Sequence, residues 1–324
     1  MAAVLHPTPA GTAEIVDLRT VSARDLEPLL QEETAGWRSK LEWEFEPSAD
    51  LVRRFVELRS LAGSALVVGG RVAGYVYYIL EEDKGLIGDL YVIEESRSLE
   101  NENCLMEAAL ADIMAFRSID RIEAQLMMLE YHSARSLPRA DCLSAYQRNF
   151  MRIDLRHASL DEGRVRRPMY LEEWSDHYHH SAALVLAAAY AGHVDSRIND
   201  QYRSAAGARK FLYNIVQYPG CGAFCRPASY VAFDAATGQL CGISLASIVA
   251  PECGHLTQIC VAPYVRGTGI GHAMMRQSLL SLRRMGCSAV SLTVTTSNED
   301  AVALYERVGF RTARHFAAYV WEGC

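Results

Sequence analysis

The segment Ile259-Cys-Val-Ala-Pro-Tyr-Val-Arg-Gly-Thr-Gly-Ile-Gly271 sets three glycines at alternate positions, after an apolar stretch and before an amphipathic one. That order predicts a strand, a tight turn and a helix start. Gly267, Gly269 and Gly271 let backbone N–H groups approach an anion with no Cβ in the way. The helix start adds unpaired N–H groups and the positive end of its dipole. Arg266 adds a formal charge. The chemistry implied is retention of a phosphate-bearing ligand, most simply a pyrophosphate. A Walker A loop is excluded because His272 and Ala273 follow Gly271 where lysine and serine or threonine are required. In the dinucleotide fingerprint counted from Gly267 and Gly269, the third glycine falls on His272. A turn that binds nothing is the remaining alternative.

The elements that must position this loop follow from periodicity. Gly254–Val261 reads as the strand leading in. Residues 270–285 read as the helix leading out, with Met275, Leu279 and Leu282 on one face and Gly286 just past its end. Ser288–Thr295 alternates apolar and hydroxyl residues as a strand does. A helix starts near Ser297 or Asn298, both good caps, and Arg311–Trp321 is a final strand. Upstream, helices are expected at 174–191 and 200–217. A hairpin is expected from Ser229–Asp234 and Gln239–Val249. The first half reads as strand 14–20, helices 22–33 and 48–60, strands Ala65–Val68, Arg71–Leu80 and Gly85–Ile93, helix 99–117 and strand Arg121–Leu129.

Arg266, Gly269 and Gly271 resemble motif A of the GNAT N-acetyltransferase superfamily, Arg/Gln-x-x-Gly-x-Gly/Ala after a strand. Asn298-Glu-Asp-Ala-Val-Ala-Leu-Tyr-Glu-Arg-Val-Gly-Phe310 resembles the motif B helix that follows it. The resemblance implies an α/β (α+β) fold of two tandem GNAT-like domains, each a mixed, mostly antiparallel sheet flanked by helices. Residues 161–324 would be the acetyltransferase domain. Residues 1–160 would be a degenerate copy, because Glu94-Glu-Ser-Arg-Ser-Leu-Glu-Asn-Glu stands where the phosphate turn belongs. That run is acidic and has no glycine, so it would repel a pyrophosphate. Ala145-Tyr-Gln-Arg-Asn-Phe150 faintly resembles the end of a motif B helix. Tandem GNAT proteins such as mycothiol synthase are similar in layout. An unrelated α/β domain is the alternative for the first half.

The resemblance further implies acetyl-CoA as co-substrate and transfer of its acetyl group to a primary amine. The backbone edge of Ile259, Cys260 and Val261 would bond the pantetheine arm. Arg266, Gly267, Thr268, Gly269, Ile270 and Gly271 would hold the pyrophosphate, and Asn298 would contact the same ligand. Tyr305 would protonate the leaving thiolate. A base belongs early on the incoming strand, where His255 stands; a ring capping the strand end toward solvent is the other reading. Gln258 can only orient a water. An acetyl-cysteine route through Cys260 is disfavoured on a buried strand. Acceptor contacts are expected from the loop Ala191–Tyr202, by His193, Asp195, Asn199 and Tyr202, with Pro219–Pro227 as a wall. A solvated connection between two helices is the plain alternative for that loop. A non-catalytic acyl-CoA sensor or assembly protein would keep the glycine loop and dispense with proton transfer.

Composition bounds the rest. A chain of 324 residues, half of them hydrophobic, suits two domains with sizeable cores. A net charge of −7 with no long basic run argues against nucleic acid. The expected partner is a small-molecule or peptide amine, with no membrane, and the chain a monomer or homodimer. Met1–Pro7 lack the basic start and apolar core of a signal peptide. Nine cysteines without framework spacing suggest a reduced, cytoplasmic protein. Cys221, Cys225, Cys253 and His255 are too loosely spaced for zinc. His177, His179 and His180 read as a polar helix edge, so no metal is expected.

Overall fold

The computed structural model describes residues 13–130, 135–218 and 220–324. Met1–Pro7 and Pro219, singled out above, lie outside them. The chain forms two compact units. The first comprises residues 1–41, 45–145 and 318–324, and the second residues 42–44 and 146–317. This division differs from the one expected at residue 160, because backbone pairing rather than chain order assigns the strands.

In the first unit the order is β1 (Ala13–Asp17), α1 (Ala23–Leu41), α2 (Glu46–Glu57), β2 (Gly63–Val68), β3 (Arg71–Glu81), β4 (Lys84–Val92), α3 (Leu99–Met114) and β5 (Arg121–Gln125). Strands β1 to β5 lie side by side in chain order. Neighbours are antiparallel except the parallel pair β4–β5, whose register ends at Ile87–Ala124. Leu26, Leu29 and Leu30 of α1 and Leu105, Met106, Leu110 and Ile113 of α3 are buried at helical spacing. Tyr75 donates to Glu33 at 2.9 Å, and its hydroxyl lies 3.3 Å from Asp89. Burial, then the Asp89 charge, raises the Glu33 carboxyl well above its ordinary value. Cys142 and Cys324 form a disulfide, and seven cysteines are free, which corrects the expectation of a wholly reduced chain.

In the second unit the order is β6 (Leu143–Asp154, counted from Tyr146), β7 (Met169–Glu173), α4 (His179–Tyr190), α5 (Asp195–Ile198), α6 (Ala205–Gln217), β8 (Ala223–Phe224), β9 (Tyr230–Asp234), β10 (Leu240–Ala250), β11 (Cys253–Val261), α7 (Ile270–Arg284), β12 (Ala289–Thr295), α8 (Glu299–Val308) and β13 (Arg311–Glu322, to Ala317). The sheet runs β7-β9-β10-β11-β12-β6. Only β11–β12 is parallel. Strands β7, β9, β10, β11 and β12 thus repeat the order of β1 to β5, and helices fall at matching places. The chain has folded the same αβ pattern twice. Residues 145–150 are strand, not the end of a helix: Arg148 to Asp154 pair in register with Thr295 to Ala289. Strand β7 also stands where no element was expected.

Candidate active site

The second unit opens its sheet at one place. Strand β11 pairs with β12 only from Cys253–Ala289 to Leu256–Leu292. Beyond that, β11 runs on to Val261 and β12 to Thr295 without pairing to each other. The cause is visible one strand over. Leu245 pairs with Gln258 and Ala246 with Leu256, so Thr257 is an extra residue. Such a bulge bends a strand and ends its ladder. It also changes the face each residue presents. Ile259 joins Leu256 and Met275 in the core. Gln258 and Cys260 turn toward α4 and the residues after it.

Where β11 ends, the glycine loop has the expected form. Gly267 and Gly269 have φ of +72° and +92°, the left-handed region that suits glycine. Gly269 is the N-cap of α7, and the first helical bond is Ala273 N–H to the Gly269 carbonyl, 3.0 Å. The amides of Gly267, Gly269, Ile270, Gly271 and His272 have no acceptor among the described residues. A Cβ on Gly267 would meet nothing within 4 Å. These are the features of an anion cradle. Two side chains in it have other duties. Arg266 donates to the Ala189 carbonyl at the end of α4 at 2.5 Å, and Thr268 donates to the Val265 carbonyl at 2.6 Å. Asn298 caps α8 by accepting from the Ala301 amide at 3.4 Å, which leaves its amide nitrogen as its available donor.

The open part of the sheet is lined with polar groups from several elements. Tyr202 donates to Gln258 at 3.3 Å, and Gln258 donates to the Tyr190 hydroxyl at 2.9 Å. The two tyrosine rings stack at 4.4 Å. Thr295 donates to Asp195 at 2.5 Å. Arg148 stands 3.9 Å from the same carboxylate and donates to Thr293 at 3.3 Å. Its buried Nε has no partner among the described residues. Tyr305 is buried, and Asp195, Cys260 and Arg148 act electrostatically on its hydroxyl. That hydroxyl bonds to no described residue. Burial, the largest cause, raises its pKa above the ordinary value. Burial also pushes the Cys260 thiol up to about 12, so it is a thiol and not a thiolate at neutral pH. This disfavours a covalent route.

Two assignments change. His255 is 4% exposed and lies on the closed stretch of β11, opposite Ser291. Its Nδ1 is 2.9 Å from the Ser291 hydroxyl, and its ring meets Trp43 edge-on at 4.7 Å. Burial pushes its pKa down to about 3. It is neither a solvent-facing cap nor a base for an amine at neutral pH. Among the acceptor candidates, Asp195 and Tyr202 meet in the open part. His193 borders it, with Nδ1 3.8 Å from Asp195 and the ring against Tyr190. Asn199 instead caps the turn after α5 by accepting from the Gln201 amide at 3.0 Å. Of Pro219–Pro227, Ala223, Phe224 and Arg226 line a separate 440 Å³ cavity with the end of α6. Arg148 and Thr295 were not among the expected site residues, and Gln258 was expected only to orient a water.

His255 carries a testable consequence. The folded protein leaves it neutral, whereas the unfolded chain binds a proton below the ordinary histidine value of about 6.5. Its contribution to stability is therefore constant above that pH and falls as pH drops toward 3, by about 2 kcal/mol between pH 6.5 and 5. His255→Phe keeps a ring against Trp43 and removes the titration. Denaturant unfolding at pH 7 and pH 5 should show a smaller acid loss in the variant. Equal losses in both proteins would contradict the assignment.

Comparison with known proteins agrees with this geometry. Residues 196–310 match the acetyltransferase (GNAT) family. A mycothiol acetyltransferase of Mycobacteroides abscessus is 33% identical over 92 residues, which cover 28% of this chain and 31% of that protein. The chain thus spans about a third of the length of that relative. A GCN5-related N-acetyltransferase from Sphaerobacter thermophilus has the same fold, with TM-score 0.68, 16% identity and coverage of 96% and 95%. A tandem GNAT protein from the clavulanic acid biosynthesis pathway aligns with TM-score 0.61, 16% identity and coverage of 97% and 99%.

Proposed function

We propose that this chain, a tandem GNAT protein by its matched segment and its fold, transfers an acetyl group from acetyl-CoA to a primary amine in one site, that of the second unit. The observation that carries this reading is the coincidence of three features: a strand edge left open after Leu256, the amides of Gly267, Gly269, Ile270, Gly271 and His272 with no acceptor among the described residues, and a Tyr305 hydroxyl that bonds no described residue.

The residues present fit the co-substrate. The loop and the first turn of α7 hold the pyrophosphate. The free edge of Ile259, Cys260 and Val261 bonds the pantetheine amides and brings the thioester beside Tyr305. Asp195, held by Thr295 with Arg148 nearby, draws a cationic amine into the same space. The amine proton passes to water, for which Gln258 is an orienting group. The freed lone pair forms the C–N bond at the thioester carbonyl carbon, the C–S bond breaks, and the nitrogen gives its second proton to solvent, from which the released thiolate takes up one proton. The sulfur leaves with developing negative charge. Tyr305 has a higher pKa than a thiol, so complete proton transfer to the thiolate is uphill. Its part is a hydrogen bond that strengthens as charge builds.

The matching turn of the first unit is acidic and has no glycine. The Glu94 amide donates to Glu32 at 2.8 Å, and the Asn101 amide donates to the Ser98 hydroxyl at 3.1 Å. These side chains occupy groups that an anion would need. Release of free CoA against a panel of small amines, amino acids and peptide N-termini tests the activity. Turnover above hydrolysis with one class supports it. Coenzyme binding without turnover on any amine would favour a non-catalytic sensor.

A further inference from the structure

Arg148 is a buried charge to which the proposed reaction gives no task of its own. It stands on β6, paired across the sheet with Thr295 of β12, and is 9% exposed. Its Nη2 donates to Thr293 at 3.3 Å, and the guanidinium lies 6.0 Å from the Phe316 ring. Its Nη1 is 3.9 Å from Asp195 Oδ1, beyond hydrogen-bond distance. The buried Nε has no partner among the described residues. A buried ion pair offsets its loss of water only when the geometry is good. Arg121 and Glu123, similarly buried, meet at 2.6 Å. The Arg148–Asp195 pair lacks such a contact, so stability does not account for it. The carboxylate is unfinished as well. Its Oδ1 accepts from Thr295, whereas Oδ2 lies 3.8 Å from His193 Nδ1. That nitrogen already accepts from the Asp195 amide at 3.1 Å, so it donates nothing to Oδ2. An oxygen open to a cation and a guanidinium open to an anion thus stand side by side. After burial, the two charges act in opposite senses on the hydroxyls of Tyr202 and Tyr305, Asp195 raising their pKa and Arg148 lowering it.

We propose that Arg148 receives a carboxylate of the acceptor, and that the acceptor is a free α-amino acid. The inference rests on the reading of this unit as an amine acetyltransferase. An α-amino acid carries its ammonium and its carboxylate on one carbon, and Asp195 and Arg148 present the complementary charges 3.9 Å apart. The ammonium meets Oδ2 of Asp195. The carboxylate supplies the acceptor that the Arg148 donors lack, through charge-assisted bonds for which a guanidinium fork is suited. It takes no part in the transfer and stays ionised; its task is to orient the amine. The two side chains are only 11% and 12% exposed, so both contacts are stronger than they would be in water. A simple amine or a peptide N-terminus brings the ammonium alone and leaves the buried guanidinium unpartnered. Rejection of such acceptors follows from that missing partner.

The test measures kcat/KM for CoA release across the common α-amino acids, their α-carboxamides, and 6-aminohexanoate, whose carboxylate lies far from its amine. The best amino acid is expected to exceed its carboxamide at least about 30-fold, with 6-aminohexanoate resembling the carboxamides. Arg148→Gln should reduce that preference to about threefold or less, and Arg148→Lys, which keeps the charge without the fork, should fall between. The acetyl-CoA dissociation constant, measured in both variants, reports whether the fold is intact. Should Arg148→Gln fail to fold, the ratios in the parent and in Arg148→Lys decide. Equal rates for acids and carboxamides in the parent, equal rates for 6-aminohexanoate and the best α-amino acid, or an undiminished preference in Arg148→Gln, would overturn the assignment while leaving acetyl transfer in place. No release of CoA with any amine would overturn the transferase reading and this inference with it.

Discussion

Tyr305→Phe should lower kcat about 100-fold and leave the acetyl-CoA dissociation constant within about twofold. The substitution removes one hydroxyl that bonds no described residue, so it frees no buried partner. The ring keeps its edge contact with Phe310, whose centroid is 6.1 Å away. Stability should be nearly unchanged, since no hydrogen bond to a described residue is lost. In the proposed mechanism, what disappears is a donor to the departing sulfur, an interaction strongest when charge has developed. The loss therefore appears in kcat and not in binding. A kcat within about threefold of the parent would mean that Tyr305 is a packing residue. His255→Phe, which also changes a buried ring on this unit, should alter kcat far less.

Gly271→Asp should act on stability and binding in opposite directions. Gly271 is the second residue of α7, and a Cβ there meets only the Val261 side chain, at 3.8 Å. A carboxylate in the first turn complements the helix dipole by about 0.3–1 kcal/mol, so unfolding should need as much denaturant or more. The same carboxylate would stand beside the pyrophosphate and weaken acetyl-CoA binding at least about tenfold, equivalent to about 1.4 kcal/mol. Gly269 is a poorer choice. Its φ of +92° and its approach to the Arg164 carbonyl would strain any side chain, mixing folding with binding. An unchanged affinity in stable Gly271→Asp would remove the loop from the coenzyme site.

The parts legible from sequence were those in which one physical pattern acts alone. The glycine loop shows itself because left-handed backbone needs glycine at Gly267 and Gly269. Helix α7 shows itself because Met275, Leu279 and Leu282 fall on one stripe. Strand β6 was hidden for the opposite reason. Arg148 and Asn149 sit mid-strand but are buried, so hydropathy alternation fails where the strand serves the site. The Asp161–Arg164 stretch carries no signal of its own in the sequence, because this segment meets Thr268 and Gly269 through backbone contacts. His255 was misplaced because its position in the chain suggested chemistry, while the β11–β12 register buries it against Trp43 and Ser291. The bulge at Thr257 decides which residues turn toward the open part of the sheet, and it has no composition signature.

Calorimetric titration of acetyl-CoA into the full chain tests the central claim most directly. One site per chain is the expected result, with a loop in the second unit that binds and a first unit whose matching turn is acidic and lacks glycine. Two sites would show that residues 94–103 also hold a coenzyme, and the absence of any binding heat or competition would contradict the assignment altogether.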